Sequence, residues 1–186
     1  MLLIPLTVIV AVVVGLIMGG SFRAFGSFRV RWAWLALVGV AIQFAPVSGT
    51  VAYVMLLASF AMLLAVAAAN LRTPGFVLIL TGLCLNALVI VADHGMPVTR
   101  EALVRSGQAG TLTDLVQRGG AKHHLAGEET RLLLLGDVLG VGRPIDQAVS
   151  LGDVCVHLGI GWCIVVAMQP RRYSGLQAPV GSPKTV

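Results

Sequence analysis

Five apolar runs, at residues 2–18, 32–47, 51–69, 76–92 and 151–168, constrain this chain more than any other feature of its sequence. A helix needs about 20 apolar residues, with roughly 17 to 25 as the range, to cross the hydrocarbon core of a bilayer. The runs meet or approach that length. Hydrophobic residues make up 57% of the chain and charged residues 11%, against about 45–50% and about 25% in an average soluble domain. The mean hydropathy of +0.91 points the same way. The expected fold class is therefore all-α: a polytopic transmembrane helix bundle of five spans, with short amphipathic helices in a long outer loop. The lipid bilayer is its first partner.

The flanks of the runs set their order and direction. Run 2–18 has no positive residue before it and Arg23, Arg29 and Arg31 after it, the reverse of a cleavable signal peptide, so it reads as a retained span. Trp32 and Trp34 mark an interface, Pro46 closes the second run, and Ser48-Gly49-Thr50 is a tight uncharged turn. Pro74 is placed to open the fourth helix at its first turn. A membrane domain is expected over 1–169, and the Gly, Ser and Pro-rich tail 170–186 is expected to be disordered.

All eight acidic residues lie between Asp93 and Asp153, while seven Lys/Arg stand outside that window without any acid. The loops after the first and third spans and the C-terminal tail carry those basic residues. The positive-inside rule then puts the C-terminus in the cytoplasm and the N-terminus outside the inner membrane. The connection 93–150 faces outward and, being too long for a structureless loop, should contain helices. Three are expected: over Thr99 to Val104; after the capping-box-like Thr111 to Asp114, ending at Gly119-Gly120; and over Glu128 to Leu135, with two acids in its first turn. No nucleic-acid partner is expected, since the basic residues form no compact or aromatic-interleaved patch. Cys84, Cys155 and Cys163 sit in apolar runs and read as packing thiols.

Chemistry is concentrated around a repeat. Leu135-Gly136-Asp137-Val138 and Leu151-Gly152-Asp153-Val154 each place a carboxylate among apolar neighbours, 16 positions apart. An ionisable group in a membrane span is costly and marks a functional site by default. Two acids held together in low dielectric do not both ionise, so Asp137 and Asp153 can share a proton and act as general acid and base around a water, as in aspartyl hydrolases. His157, one helical turn after Asp153, would tune it. The competing reading is structural: Ser150-Leu151-Gly152-Asp153 is itself a capping box, and Gly136-Asp137 marks a helix end. His123 and His124, with Asp93, His94, Asp153 or His157, are weaker metal candidates, because adjacent histidines rarely share a metal and no His-x-x-x-His or Cys-x-x-Cys spacing is present. A headgroup-facing polar patch is the alternative for that pair. Asn86 and Thr81 read as interhelical hydrogen-bonding residues, and the pairs Gly15/Gly19 and Ala65/Ala69 as close-packing positions. The commonest soluble-enzyme motifs are missing, and no cofactor is expected.

The series Gly95-Met96-Pro97-Val98, Lys122-His123-His124, Thr130-Arg131-Leu132 through Leu135-Gly136-Asp137, Pro144 and Ser150-Leu151-Gly152-Asp153 resembles a family of bacterial integral membrane proteins known as domain of unknown function 5317. The resemblance implies the fold and no activity, and Asp93 stands where it implies Asn. A looser similarity is to lipoprotein signal peptidase, whose two acids lie at the outer ends of its last two spans. There Ser150 replaces an Asn, no Asn-x-x-Asp-Arg string surrounds Asp137, and five spans replace four. The expected function is a membrane-embedded aspartyl-type hydrolase acting on a lipid-anchored or lipid-linked substrate. The alternative is a non-enzymatic carrier, or an accessory or scaffold subunit that binds a membrane protein partner.

Overall fold

The computed structural model describes residues 2–169 apart from Ser27, Gly119 and Ala121, so the expected disordered tail lies outside the described residues. The chain is mostly helical. Its apolar helices are α1 (Leu3–Ile17), α3 (Ala33–Ile42), α4 (Gly49–Ala69), α5 (Phe76–Ala92) and α8 (Leu151–Met168), with a single turn, α2 (Phe22–Phe25), after α1. Two of them, α4 and α8, are long and apolar enough to cross a membrane, and α1, α3 and α5 are apolar but shorter.

The fourth and fifth expected spans coincide with α5 and α8. The second does not. It opens at Trp32, whose φ is 58°, and leaves the helix at Gln43, with Pro46 soon after, so α3 keeps 10 residues. That is about 15 Å of helix. Pro74 stands outside the first turn of α5, where Gly75 at φ 92° makes the entry. Gly49 at φ 62° starts α4 two residues early, inside the expected turn.

Packing follows small residues. The helices form a row in the order α1, α8, α5, α4, α3. Between antiparallel α5 and α8, Gly82 faces Gly152 and Gly75 faces Gly159. A Cβ on Gly82 would strike the Gly152 carbonyl, and one on Gly152 would strike Asn86 Oδ1, leaving room for hydrogen only. Close approach of backbones through glycine is how helices associate where lipid leaves no hydrophobic drive between them. Gly15 meets Met168 and so closes α1 on α8, as expected of it. A Cβ on Gly19 would meet nothing, and the residue serves a turn at φ 80°, while Ala65 is exposed, so neither of those two pairs is a packing motif.

A small cap covers one end of the row. In it β1 (Met96–Val98) pairs in parallel with β2 (His123–Leu125), and β3 (Leu139–Val141) pairs antiparallel with β4 (Gln147–Val149). Helices α6 (Arg100–Arg105) and α7 (Ala109–Arg118) lie between β1 and β2 in the chain. The expected helix over Thr99 to Val104 forms as α6, and the Thr99 side chain caps it by accepting from Ala102 N. Thr111 lies inside α7, not at its start, because the helix begins two residues earlier. Residues 128–135 form a turn and one 3-10 turn (Leu133–Leu135) instead of a helix. Leu132 and Leu135 pack into the helix core beside Met96, which plants the cap on the row. No strand was expected; three-residue strands are too short to show a period of two.

The glycine seam generates a prediction. Gly152→Ala should destabilise by about 1–3 kcal/mol, the cost of overpacking, whereas Gly110→Ala, in α7 with nothing near its would-be Cβ, should be neutral or stabilising by up to about 1 kcal/mol. Thermal melts in detergent compare the two, and equal melting temperatures would sink the seam.

Candidate functional site

The end of α8 nearest the cap is built on a closed ring of hydrogen bonds. Ser150 Oγ accepts from Asp153 N at 3.0 Å while Asp153 Oδ2 accepts from Ser150 N at 3.1 Å, the reciprocal capping box. Asn86, buried on α5, joins it: its Nδ2 donates to Asp153 Oδ1 at 2.8 Å, and its Oδ1 accepts from Ser150 Oγ at 2.9 Å. Both oxygens of Asp153 are thus acceptors with fixed directions. Asn86 reaches them because Gly152 carries no side chain. The capping reading of Asp153 is realised, and it leaves each oxygen a second lone pair.

Asp137 comes to the same place by a different route. It does not end a helix. Its backbone bridges Val98, with Asp137 N donating to Pro97 O at 2.9 Å, so that β1 lies between residue 137 on one side and β2 on the other. Partners across a sheet share a face and residues two apart on a strand do too, so Asp137, Val98, Met96 and His123 look one way. Along that face Met96 packs into the helix core, while Val98 packs against α6 within the cap. His123 Nε2 stands 3.7 Å from Asp137 Oδ2, and Asp137 Oδ1 is buried without a hydrogen-bond donor among the described residues.

A buried carboxyl in this state resists ionising. Desolvation, with the charge of Asp153 adding to it, pushes the Asp137 pKa from 3.8 up to about 8. Asp153 is therefore close enough to be felt at Asp137. Their hydrogen bonds, however, run to other partners: Asp153 to Asn86 and Ser150, Asp137 to none at Oδ1.

The profile of a family of unknown function (DUF5317) matches residues 27–165. The chain belongs to that family. Comparison with curated proteins and with solved structures gave no match. Within the DUF5317 region, the residues that carry the resemblance fall on β1, β2, the 3-10 turn and the bridge beside β1, the β3–β4 connection at Pro144 and the first turn of α8; among them are both Asp137 and Asp153. Helix α1 precedes the matched region and still reaches the neighbourhood of the site, since Thr7 Oγ1 lies 2.9 Å from His157 Nδ1. His157 thus looks to α1, and its bond is to Thr7, not to Asp153.

The remaining expectations separate. His123 and His124 are neighbours on a strand and point to opposite faces, so the pair cannot close on one metal from β2. Among the described residues no group of three or more His, Cys, Asp and Glu is arranged to hold a metal. His124 instead lines a separate open cavity of about 440 Å³ with Asp93, His94, Glu128, Glu129 and Arg131. Asp93 is occupied there as an anchor, accepting from Arg131 N at 2.8 Å and Leu132 N at 3.2 Å. Thr81 is exposed and bonds back to Val77 O within its own helix, so it does not link helices. Cys84 is exposed as well, and of the three free thiols only Cys163 is buried. The role of Asn86 in the ring was not read from the sequence beyond interhelical bonding; its spacing to Gly82 was the available signal.

The raised Asp137 pKa has a sign. Between about pH 4 and pH 8 the folded state holds a proton that the unfolded chain releases, so stability falls as pH rises through that window by up to about 1.4 kcal/mol per unit, then levels off. Asp137→Asn removes this proton linkage. The variant should gain melting temperature over the wild type increasingly from pH 5 to pH 8, and parallel melting-temperature profiles would refute the assignment.

Proposed function

We propose that this protein spans the bacterial inner membrane five times, with its N-terminus and cap outside. In this reading it is a hydrolase of lipid-anchored or lipid-linked substrates that uses Asp137 and Asp153 as an acid–base pair. Large apolar side chains exposed on every apolar helix support the membrane reading, among them Ile9 and Ile17 on α1, Leu37 on α3, Val54 on α4, Leu88 on α5 and Leu158 on α8. Contiguous exposed apolar surface marks a lipid or protein contact. The shorter helices α1, α3 and α5 would lie within the bilayer beside α4 and α8, with the connections at their ends at its polar boundaries. Arg23, Arg29, Arg31 and Arg72 lie toward the end of the row opposite the cap, which supports the cytoplasmic assignment of that end.

The observation that carries the catalytic reading is the difference between the two acids. Asp137 is buried, holds its proton near neutral pH and has an oxygen without a donor; Asp153 is fixed as an acceptor by Asn86 and Ser150. Environments that push two carboxyls apart assign acid and base. Asp153 takes a proton from a water as its oxygen bonds to the substrate carbonyl carbon. Asp137 gives its proton to the carbonyl oxygen. Collapse of the tetrahedral intermediate breaks the acyl bond as Asp153 passes its proton to the leaving group and Asp137 takes one back from the gem-diol hydroxyl, so the pair returns to its starting charge. The carrier alternative has less support, because Thr81 faces away from Asn86 and the glycine seam closes α5 on α8 below the site.

Two measurements test the reading. Asp137→Asn and Asp153→Asn, expressed at wild-type level in the native host, should each lower turnover of lipid-anchored precursors by about 10² or more, the contribution of a positioned acid–base group. Unchanged processing removes the hydrolase. For topology, a cysteine at Glu101 in the cap should react with an impermeant maleimide on intact cells and one at Arg72 should not, in a background lacking the native cysteines. The reverse pattern inverts the orientation.

A further inference from the structure

Asp137 poses an access problem that its surroundings answer. Its side chain is 9% exposed, so its proton cannot exchange freely with bulk water, and setting its protonation state needs a route from outside. Among the described residues, the titratable side chain in contact with it is His123, 54% exposed and with Nε2 3.7 Å from Asp137 Oδ2. Strand register holds it there: β2 pairs with β1 through Met96–His123, and β1 bridges Asp137 through Val98. The segment is pinned on its other side where the Lys122 ammonium donates to the Gln43 carbonyl at the end of α3.

We propose that His123 is the proton relay of Asp137, passing protons between the outer aqueous phase and the buried carboxyl. The transfer balances without any further reactant. Water protonates one ring nitrogen of neutral His123; the imidazolium delivers the proton on Nε2 to ionised Asp137 Oδ2; the ring is left neutral as the other tautomer, and exchange with water resets it. In the reverse direction the same steps discharge Asp137. A gap of 3.7 Å closes to hydrogen-bond distance by a small ring rotation or one bridging water. His123 acts through Asp137 and is a positioning and relay residue, not one that touches substrate.

The charges around the ring fit a relay that does not hold its proton. Although half of its surface is open, protein crowds the imidazole enough that desolvation is the largest influence and lowers its pKa below 6.5, opposed by Asp153 on α8 and reinforced by Lys122 and His124. A histidine that is mostly neutral at pH 7 accepts and releases protons readily. His124, on the opposite face of β2, cannot substitute for it.

This inference rests on the raised, protonated state of Asp137 in the proposed hydrolase, but its test needs no substrate. In the purified protein, infrared difference spectra against Asp137→Asn identify the protonated carboxyl stretch of Asp137, and its hydrogen–deuterium exchange is timed after transfer to heavy water. His123→Gln fills the place of the ring without a titrating nitrogen. The expected result is exchange slowed by about 10²-fold and loss of the pH dependence that imidazole titration gives the wild-type rate. An unchanged rate overturns the relay, as does slowing with the wild-type pH profile retained, and so does the absence of any Asp137 carboxyl band in the wild type. Failed hydrolysis with a working relay, or the converse, tells the two proposals apart.

Discussion

The close approach of α5 and α8 is the constraint on which the rest depends. Gly82 against Gly152 lets the two backbones touch, and only at that distance can Asn86 on one helix reach Ser150 and Asp153 on the other. A buried amide and a carboxyl would each be costly alone in an apolar bundle. Joined in a ring, each donor meets an acceptor, and the first turn of α8 is capped by the same atoms. Packing and polarity are here one arrangement: a side chain at residue 152 would remove the ring as surely as removal of Asn86.

Asp137 is the exception that the ring throws into relief. The cap brings it over the helix ends through a strand bridge, and backbone hydrogen bonds to Pro97 and Thr99 fix its position without using its side chain. A buried carboxyl oxygen without a donor is uncommon and opposes folding. The residues around it offer no stabilising role for that cost. One carboxyl is thus held by hydrogen bonds at both oxygens, and the other is placed by its backbone with only His123 beside it at 3.7 Å, although both come from the same four-residue word.

The sequence made the apolar helices readable because their signal is length and composition, and α5 and α8 came out at their expected bounds. The capping box at Ser150 was also readable, since its logic is local: four residues that satisfy one another. What could not be read is non-local or short. The strand MPV and its partner HHL are three residues each and declare no period; their pairing joins positions 96 and 123, across two helices. For the same reason the leucines at 132–135 read as a helix, when they fold as a turn that seats the cap. At Thr81, Ala65 and Gly19 the sequence offers spacing without facing: composition names small or polar residues in a span, and only packing says which of them look at another helix.

The repeat of Leu-Gly-Asp-Val shows the limit of pattern most directly. Its second copy is a helix start in which Gly152 makes room for Asn86 and Asp153 closes the box. In the first, Gly136 packs against Pro97, where a Cβ would strike the backbone carbonyl at 2.6 Å, and Asp137 continues as sheet. The same glycine serves close approach in both, to a helix in one case and to a strand in the other. The shared word therefore encodes tolerance of a near neighbour beside an acid, not a shared secondary structure. That tolerance is what allows two segments with no common fold to bring their carboxyls under one cap, where burial, with the charge of Asp153 adding to it, holds the proton on Asp137.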